Sequence, residues 1–274
     1  MPRIGIMQGR LVPPTDGRIQ CFPRDNWKME FEFAAKANLD CIEWIYDLYG
    51  ADVNPLSNDE GVKEMKSLSS AHGVQILSVC ADYFMEKPLV RTDALELQDR
   101  LKTLAWLMKR CQLLGVNRIV LPFVDASQIT NDSEMDDVCQ SMNQALQVSE
   151  ETGVEIHLET SLTPERFARL LSKLPHPMLK ANYDSGNSSS LGYKPQAEFE
   201  AYGTRVGSVH IKDRLLGGST VTLETGDADF PALFDCLKRV GYSGDFILQV
   251  ARGENGKEVD WAKNNREFVL RSLN

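Results

Sequence analysis

The sequence predicts an α/β fold, and within that class a single (β/α)8 TIM barrel spanning residues 1–274. Three observations lead to this prediction. Strand-like and helix-like segments alternate eight times, successive strands are separated by the dozen or more residues that a parallel crossover needs, and no Pro-, Gly- or Ser-rich linker divides the chain. The alternative is a doubly wound open sheet. Such a sheet usually carries a G-x-G-x-x-G turn after its first strand, and Gly5-Ile6-Met7-Gln8-Gly9 does not match it.

Eight short apolar runs, rich in β-branched residues, predict the strands. The fourth is stopped by Pro122, and the fifth, sixth and seventh end in polar or charged residues. The predicted strands are Arg3–Met7, Cys41–Ile45, Val74–Ala81, Arg118–Leu121, Val154–Glu159, Leu179–Asp184, Val206–Lys212 and Phe246–Val250.

Apolar residues at helical spacing predict a helix after each strand, as Phe31, Ala34 and Ala35 do in the first. Glycine follows four of these segments, at positions 73, 115, 153 and 241, where it commonly ends a helix. Pro164 lies near the start of the fifth helix. The predicted helices are Trp27–Ala37, Asn58–His72, Arg91–Leu114, Ser133–Thr152, Glu165–Leu174, Gln196–Tyr202, Asp229–Val240 and Val259–Leu273.

The composition is that of a soluble globular protein, with 42% hydrophobic and 25% charged residues. The formal net charge of −9 disfavours binding to nucleic acids or anionic membranes, although a local basic cluster could still bind an anionic substrate. The six cysteines are scattered and form no C-x-x-C pair, which favours reduced thiols over disulfides or a zinc site. The sequence has no signal-peptide pattern and no apolar run of membrane-spanning length, so we expect a cytoplasmic protein.

Polar side chains stand at the last inward position of four consecutive predicted strands. In a closed barrel they would line one side of the mouth, at the carboxyl ends of the strands where barrel enzymes place their chemistry. They are Glu159, Asp184, His210 and Gln249. Two carboxylates, an imidazole and an amide oxygen form a ligand set that suits Mn²⁺, Mg²⁺ or Co²⁺ and admits Zn²⁺. Taken singly, each residue also fits a helix cap, a structural histidine or a solvated charge cluster.

Other side chains near the strand ends are candidates for binding a substrate. Lys212, Arg214 and Arg252 follow strands seven and eight, where barrels often bind phosphate; alternatively, the first two pair with nearby aspartates to order the loop. Glu43 and Trp44 end strand two, and Asp82 follows strand three. Carboxylates beside an aromatic side chain form a sugar platform, or Trp44 is packed core. A further candidate is Arg10, after strand one.

The chain resembles the xylose-isomerase-like TIM-barrel superfamily of sugar and sugar-phosphate isomerases and epimerases over essentially its full length. The resemblance lies in Ile156-His157-Leu158-Glu159, in the sixth strand ending in Asp184, in His210-Ile211-Lys212-Asp213-Arg214, and in the tail from Gly217-Gly218 to Gly226-Asp227-Ala228-Asp229-Phe230. It implies a divalent cation, most often Mn²⁺, held by Glu159, Asp184, His210 and Gln249, a sugar or sugar-phosphate substrate, and a homodimer or homotetramer.

Two departures from that family bear on the reaction. The eighth strand carries Gln249 where the family usually has a glutamate, and Asn187 stands where its epimerases usually have a histidine. A glutamine can offer an oxygen to a metal but cannot take up a proton. With Glu159 as the one remaining base and Lys212 to neutralise developing charge, the sequence predicts aldose–ketose isomerisation through an enediolate. The alternatives are a ketose 3-epimerase with a second base elsewhere, a related phosphodiesterase, and a non-catalytic sugar-binding barrel.

Overall fold

Eight parallel strands close into a barrel in the computed structural model, which describes residues 2–273. Each strand pairs with its neighbours in sequence, and the eighth barrel strand, β10, pairs with both β7 and β1. The barrel strands are β1 Ile4–Met7, β2 Cys41–Ile45, β3 Gln75–Cys80, β4 Arg118–Phe123, β5 Glu155–Thr160, β6 Leu179–Asp184, β7 Val206–Ile211 and β10 Phe246–Leu248. The predicted (β/α)8 barrel is therefore confirmed.

Helices alternate with these strands along the chain. Several begin at side chains that accept hydrogen bonds from the first-turn amides, such as Asn58 before α2 and Asn131 before α5, and end at a left-handed glycine such as Gly73. The helices are α1 Met29–Lys36, α2 Asp59–His72, α3 Tyr83–Glu86, α4 Ala94–Leu114, α5 Asp132–Thr152, α6 Pro164–Lys173, α7 Ser185–Ser190, α8 Pro195–Tyr202, α9 Phe230–Arg239 and α10 Glu258–Ser272.

Four short elements at the mouth of the barrel were not predicted. They are the helices α3 and α7 and an antiparallel pair of strands, β8 (Asp213–Arg214) and β9 (Thr220–Val221). Each is too short for its apolar residues to show a period. In α7, which reads Ser-Gly-Asn-Ser-Ser-Ser, the carboxylate of Asp184 accepts hydrogen bonds from the first-turn amides.

Strand side chains alternate between two different environments. On the outer face Trp44 is fully buried against Phe22, Trp27 and Phe31 in the layer between the sheet and the helices. The inner face is polar, and its hydrogen bonds include His157 Nδ1 to Ser208 Oγ at 2.8 Å. Five of the six cysteines are buried, and all six are free thiols. None of the helices within residues 2–273 has both the length and the apolar character of a transmembrane span.

Candidate active site

Glu159, Asp184 and His210 meet at the carboxyl ends of β5, β6 and β7. The ligand atoms that these three side chains can offer all lie within 4.8 Å of one another, and all three residues are buried. The registers of the neighbouring strands bring them together: Asp184 pairs directly with His210 across β6 and β7. Three residues that are far apart in the sequence therefore form one cluster.

His210 lies at the centre of this cluster with none of its surface exposed. Its Nε2 lies 2.7 Å from Glu43 Oε1, and its Nδ1 lies 3.2 Å from Glu159 Oε2 and 3.8 Å from Asp184 Oδ2. Burial alone would lower the pKa of His210, but the negative charge of Glu43 and the close contacts with Asp184, Glu159 and Glu43 raise it well above its ordinary value. The ring is therefore fixed by carboxylates on both sides.

Asp184 connects this cluster to Lys212. Its Oδ1 accepts hydrogen bonds from the amides of Gly186 and Asn187, at 2.9 and 2.8 Å, and its Oδ2 lies 2.9 Å from Lys212 Nζ. Burial opposes ionisation of Asp184, but the charges of Lys212 and His210 and the amide hydrogen bonds hold its pKa well below the usual range. Gly186 permits the close approach of the lysine, since an added Cβ there would lie 2.5 Å from Lys212 Cγ.

Two asparagines position Glu159. Asn187 Nδ2 donates to Glu159 Oε1 at 2.6 Å, and Asn182 Nδ2 donates to Glu159 Oε2 at 2.8 Å. Asn182 is buried and also lies 3.1 Å from His210 Nδ1. The carboxylate of Glu159 is thus held in one orientation, with both oxygens in hydrogen bonds.

Gln249 extends from the end of β10 and contacts a loop residue that sequence reasoning missed. Its Nε2 donates to Gln20 Oε1 at 3.0 Å, while its own Oε1 is buried and has no hydrogen-bond partner among the described residues. Gln20 lies in the long loop between β1 and α1, where no sequence pattern distinguishes it. It also donates to Asp82 Oδ2 at 2.7 Å and accepts from Arg10 Nη2 at 3.0 Å.

These side chains line a cavity of about 520 Å³ in the barrel mouth. A cavity of this size accommodates a small ligand. Of the predicted site residues, its lining includes Arg10, Asp82, Glu159, Asn187, Lys212, Arg214 and Gln249. Gln20 and Arg18 are further lining residues that the sequence did not single out.

The basic side chains of the cavity are already engaged with the protein. Arg214 donates to Asn187 Oδ1 at 2.9 Å and to the carbonyl of Gly218. Arg10 donates to the backbone carbonyls of Val250 and Ile19, and burial, followed by repulsion from Arg252, lowers its pKa to about 10. These contacts order the surrounding loops and fix each guanidinium in place.

Three predicted substrate contacts lie elsewhere. Trp44 is fully buried on the outer face of β2, and its Nε1 donates to Asn54 at 3.1 Å, so it cannot form a sugar platform. Glu43 is fully buried behind His210 and is not among the residues lining the cavity. Arg252 is outside that lining too, and donates to the carbonyls of Ile19 and Val12 in the first loop. A strand that is buried on both faces gives no sign of which side chain points inward, which explains the error at Trp44.

Residues 31–272 match the family described as xylose isomerase-like TIM barrel. The chain belongs to this family. It is 23% identical over 254 residues to L-ribulose-5-phosphate 3-epimerase UlaE of Salmonella paratyphi A, a match covering 86% of this chain and 89% of that protein.

Two solved structures share the fold over nearly their whole length. A zinc-bound structure of the IolI protein superposes with a TM-score of 0.80 at 17% identity, covering 99% of this chain and 98% of that one. A D-psicose 3-epimerase from Clostridium cellulolyticum H10, solved with D-tagatose, superposes with a TM-score of 0.78 at 16% identity, covering 99% of each chain. The predicted family resemblance is confirmed, and the named relatives support the expectation of an enzyme of the epimerase or isomerase class.

The residues present fit a divalent cation. Gln249 Oε1 is a buried oxygen without a hydrogen-bond partner among residues 2–273, and the buried Asp184 Oδ2 has Lys212 Nζ at 2.9 Å. His210 Nδ1 faces the carboxylates of Glu159 and Asp184. Glu43 holds the opposite ring nitrogen at 2.7 Å, which is the arrangement that orients a metal-ligating histidine. Oxygen donors with one imidazole suit the harder divalent ions.

Proposed function

We propose that this chain is a divalent-metal-dependent isomerase or epimerase of a sugar or sugar phosphate. The observation that carries the proposal is the meeting of Glu159, Asp184 and His210 within 4.8 Å, with Glu159 also lining the cavity. Without a cation, Lys212 supplies the positive charge next to Asp184. A sugar-transforming enzyme has a use for such a site, because a cation held there would polarise oxygens of the substrate.

In this proposal, Glu159, Asp184, His210 and Gln249 hold the cation, with Mn²⁺ the first choice and Mg²⁺, Co²⁺ or Zn²⁺ as alternatives. When bound, the cation polarises the carbonyl and an adjacent hydroxyl oxygen of the sugar. Glu159 moves the proton at the carbon beside the carbonyl, and the asparagines at 2.6 and 2.8 Å hold its carboxylate in position. Lys212 brings a positive charge next to Asp184, where it offsets charge that develops on the substrate.

The reaction type depends on the number of proton-transfer groups. Aldose–ketose isomerisation, the reaction predicted from the sequence, needs one base on one face of the sugar, and Glu159 provides it. Inversion at a carbon needs a group on each face, and Gln249 cannot be the second. The relatives named as 3-epimerases favour epimerisation as the second candidate.

We further propose that Arg214, Asn187 and Arg10 contact the substrate. They line the cavity, and guanidinium groups match the oxygens of a phosphate or of vicinal hydroxyls. Arg18 also lines the cavity, and its guanidinium stacks 4.4 Å above the ring of Tyr49. L-ribulose 5-phosphate, D-psicose and D-tagatose are therefore suitable probes, one phosphorylated and two not.

The test combines metal analysis with proton exchange. We expect native protein, or protein soaked with Mn²⁺, to hold one cation per chain by mass spectrometry, and at least one of the three sugars to incorporate deuterium from D₂O by NMR. His210→Ala and Glu159→Gln should lose both properties. His176→Ala, which removes a histidine paired with Glu150 on the surface, is the matched control and should retain both.

Each contrary result leads to a different conclusion. Full metal content and exchange in His210→Ala would refute the proposed site. Tight binding of a sugar by a wild-type chain that exchanges no proton would favour the non-catalytic binding barrel instead.

A further inference from the structure

We propose that Asp82 is a second proton-transfer group of this active site, replacing the carboxylate that Gln249 lacks, and that the enzyme is therefore an epimerase. This inference rests on the proposed function. Asp82 lies two residues after β3 ends at Cys80, and its side chain lines the same cavity as Glu159.

Asp82 does not serve the structural role that its position suggests. It precedes α3 as the N-cap residue, but its side chain makes no capping hydrogen bond. Its oxygens are turned to the cavity side instead, where Oδ2 accepts from Gln20 Nε2 at 2.7 Å and Oδ1 accepts from Cys80 Sγ at 3.1 Å. Within residues 2–273 no lysine, arginine or histidine lies within ion-pair distance of it. A carboxyl group with no capping role and no ion pair is available for chemistry.

The environment of Asp82 suits a group that exchanges a proton near neutral pH. Burial, together with the negative charges of Asp47 and Glu159, raises the pKa of Asp82 to about 6, although the hydrogen bonds from Gln20 and Cys80 act to lower it. Its acid and base forms are therefore both accessible under physiological conditions.

Gln20 links Asp82 to the position of the missing carboxylate. The same side-chain amide donates to Asp82 and accepts from Gln249 Nε2 at 3.0 Å. Gln249 is thereby anchored through its nitrogen and keeps its oxygen free, while Asp82 supplies an ionisable carboxyl on the other side of Gln20. In this proposal Gln249 is a metal ligand and Asp82 transfers the proton. The side chain of Gln20 connects the two residues.

In the proposed reaction, the same carbon of the substrate loses one proton and gains another. Glu159 takes the proton from the carbon beside the carbonyl; that C–H bond breaks, an O–H bond forms on Glu159, and the electron pair moves onto the substrate to give an enediolate. Protonated Asp82 then gives its proton to the same carbon from the opposite face, so that the carbonyl is restored with inverted configuration. Exchange with water reprotonates Asp82 and deprotonates Glu159, and no oxidant or reductant is needed.

The test is Asp82→Asn in D₂O with L-ribulose 5-phosphate, D-psicose and D-tagatose, followed by NMR. Asparagine keeps an oxygen for Gln20 but cannot donate the proton. We expect the epimer to form about 100-fold more slowly or worse, while Glu159 still exchanges deuterium into the unreacted sugar. Glu159→Gln should lose both, and Asp82→Glu should recover part of the epimer formation. Asp99→Asn, which removes an exposed carboxylate on α4 outside the cavity lining, is the charge-matched control.

The outcomes separate the inference from the proposed function. Epimer formation at the wild-type rate in Asp82→Asn overturns the inference and leaves the proposed function intact. Equal loss of exchange and epimer formation in Asp82→Asn also overturns it, because Asp82 would then act by positioning other groups. A wild-type chain that holds metal and exchanges no probe refutes the proposed function, and the inference with it.

Discussion

Glu30 gives the sharpest prediction outside the site, because it is a buried carboxyl that holds the first loop. It lies on α1 with 1% of its surface exposed, and its Oε1 accepts hydrogen bonds from the amides of Gly9 and Leu11 at 2.7 and 3.2 Å. Its Oε2 has no hydrogen-bond partner in the described part of the chain. Burial raises the pKa of Glu30 to about 7 from an ordinary 4.5, against the amide hydrogen bonds and the charges of Arg252 and Arg10.

The sign of the effect follows from this shift. Because the folded chain binds the Glu30 proton more tightly than the unfolded chain, the contribution of Glu30 to the free energy of unfolding is largest below pH 4.5 and is lost as the pH rises towards 7. Between pH 5 and pH 8 the loss amounts to about 2.5 kcal/mol. Glu30→Gln keeps the acceptor oxygen for both amides and has no proton to lose. We therefore expect the variant to match wild type near pH 5 and to exceed its stability by about 2.5 kcal/mol at pH 8.

Urea unfolding followed by circular dichroism, at pH 5, 6, 7 and 8, measures this difference directly. Glu32→Gln is the matched control, since Glu32 lies on the same helix but is exposed and paired with Lys36. The control should leave the wild-type pH dependence in place. An unchanged pH dependence in Glu30→Gln would refute the reasoning, because it would show that Glu30 ionises in the folded chain as easily as in the unfolded one.

Three further predictions concern buried contacts. Glu43→Gln removes the charge that orients His210, and we expect the affinity for Mn²⁺ to fall about 10- to 100-fold in calorimetric titrations, with an unchanged circular dichroism spectrum. Asp245→Asn leaves the buried guanidinium of Arg118 without its partner charge and should lower the free energy of unfolding, measured in urea, by about 3–5 kcal/mol. A loss under about 1 kcal/mol would contradict the burial of this ion pair away from water. Trp44→Phe removes one buried hydrogen bond and should lower the free energy of unfolding by about 1–2 kcal/mol. The affinity for Mn²⁺ should stay at the wild-type value, and weaker binding would show that Trp44 contributes to the metal site.

The fold could be predicted from the sequence because each unit carries its own local signals. Strand β2 and the end of helix α2 lie where the pattern predicts them, and other boundaries shift by a few residues at most, as where α4 begins at Ala94 rather than Arg91. Asp93 explains that start: its carboxylate accepts hydrogen bonds from the amides of Leu95 and Glu96 and caps the helix. Apolar periodicity indicates a helix but does not distinguish its first turn from the capped loop before it.

The site could be predicted only in part, because some of its residues lie on regular strands and others lie in loops without a sequence pattern. Glu159, Asp184 and His210 are the last or the penultimate residues of regular strands, so their convergence follows from the barrel itself. Asn182 could have been found by the same rule, since it lies two residues before Asp184 on the same inward face. The polar identity of inward strand positions is the signal that indicates such residues.

Gln20 could not have been found in this way, and the reason is physical. Its partners Asp82 and Gln249 are 62 and 229 residues away along the chain, and it reaches them from a loop whose path is set by tertiary contacts. Glu30 holds the start of that loop, and Arg10 and Arg252 donate to the carbonyl of Ile19 next to Gln20. A loop whose path is fixed by distant side chains shows no periodic sequence pattern from which its contacts could be predicted. The role of Gln20, which connects the proposed metal ligand Gln249 to the proposed acid Asp82, therefore depends on the folded barrel. We expect replacement of Gln20 to impair metal binding and proton transfer together.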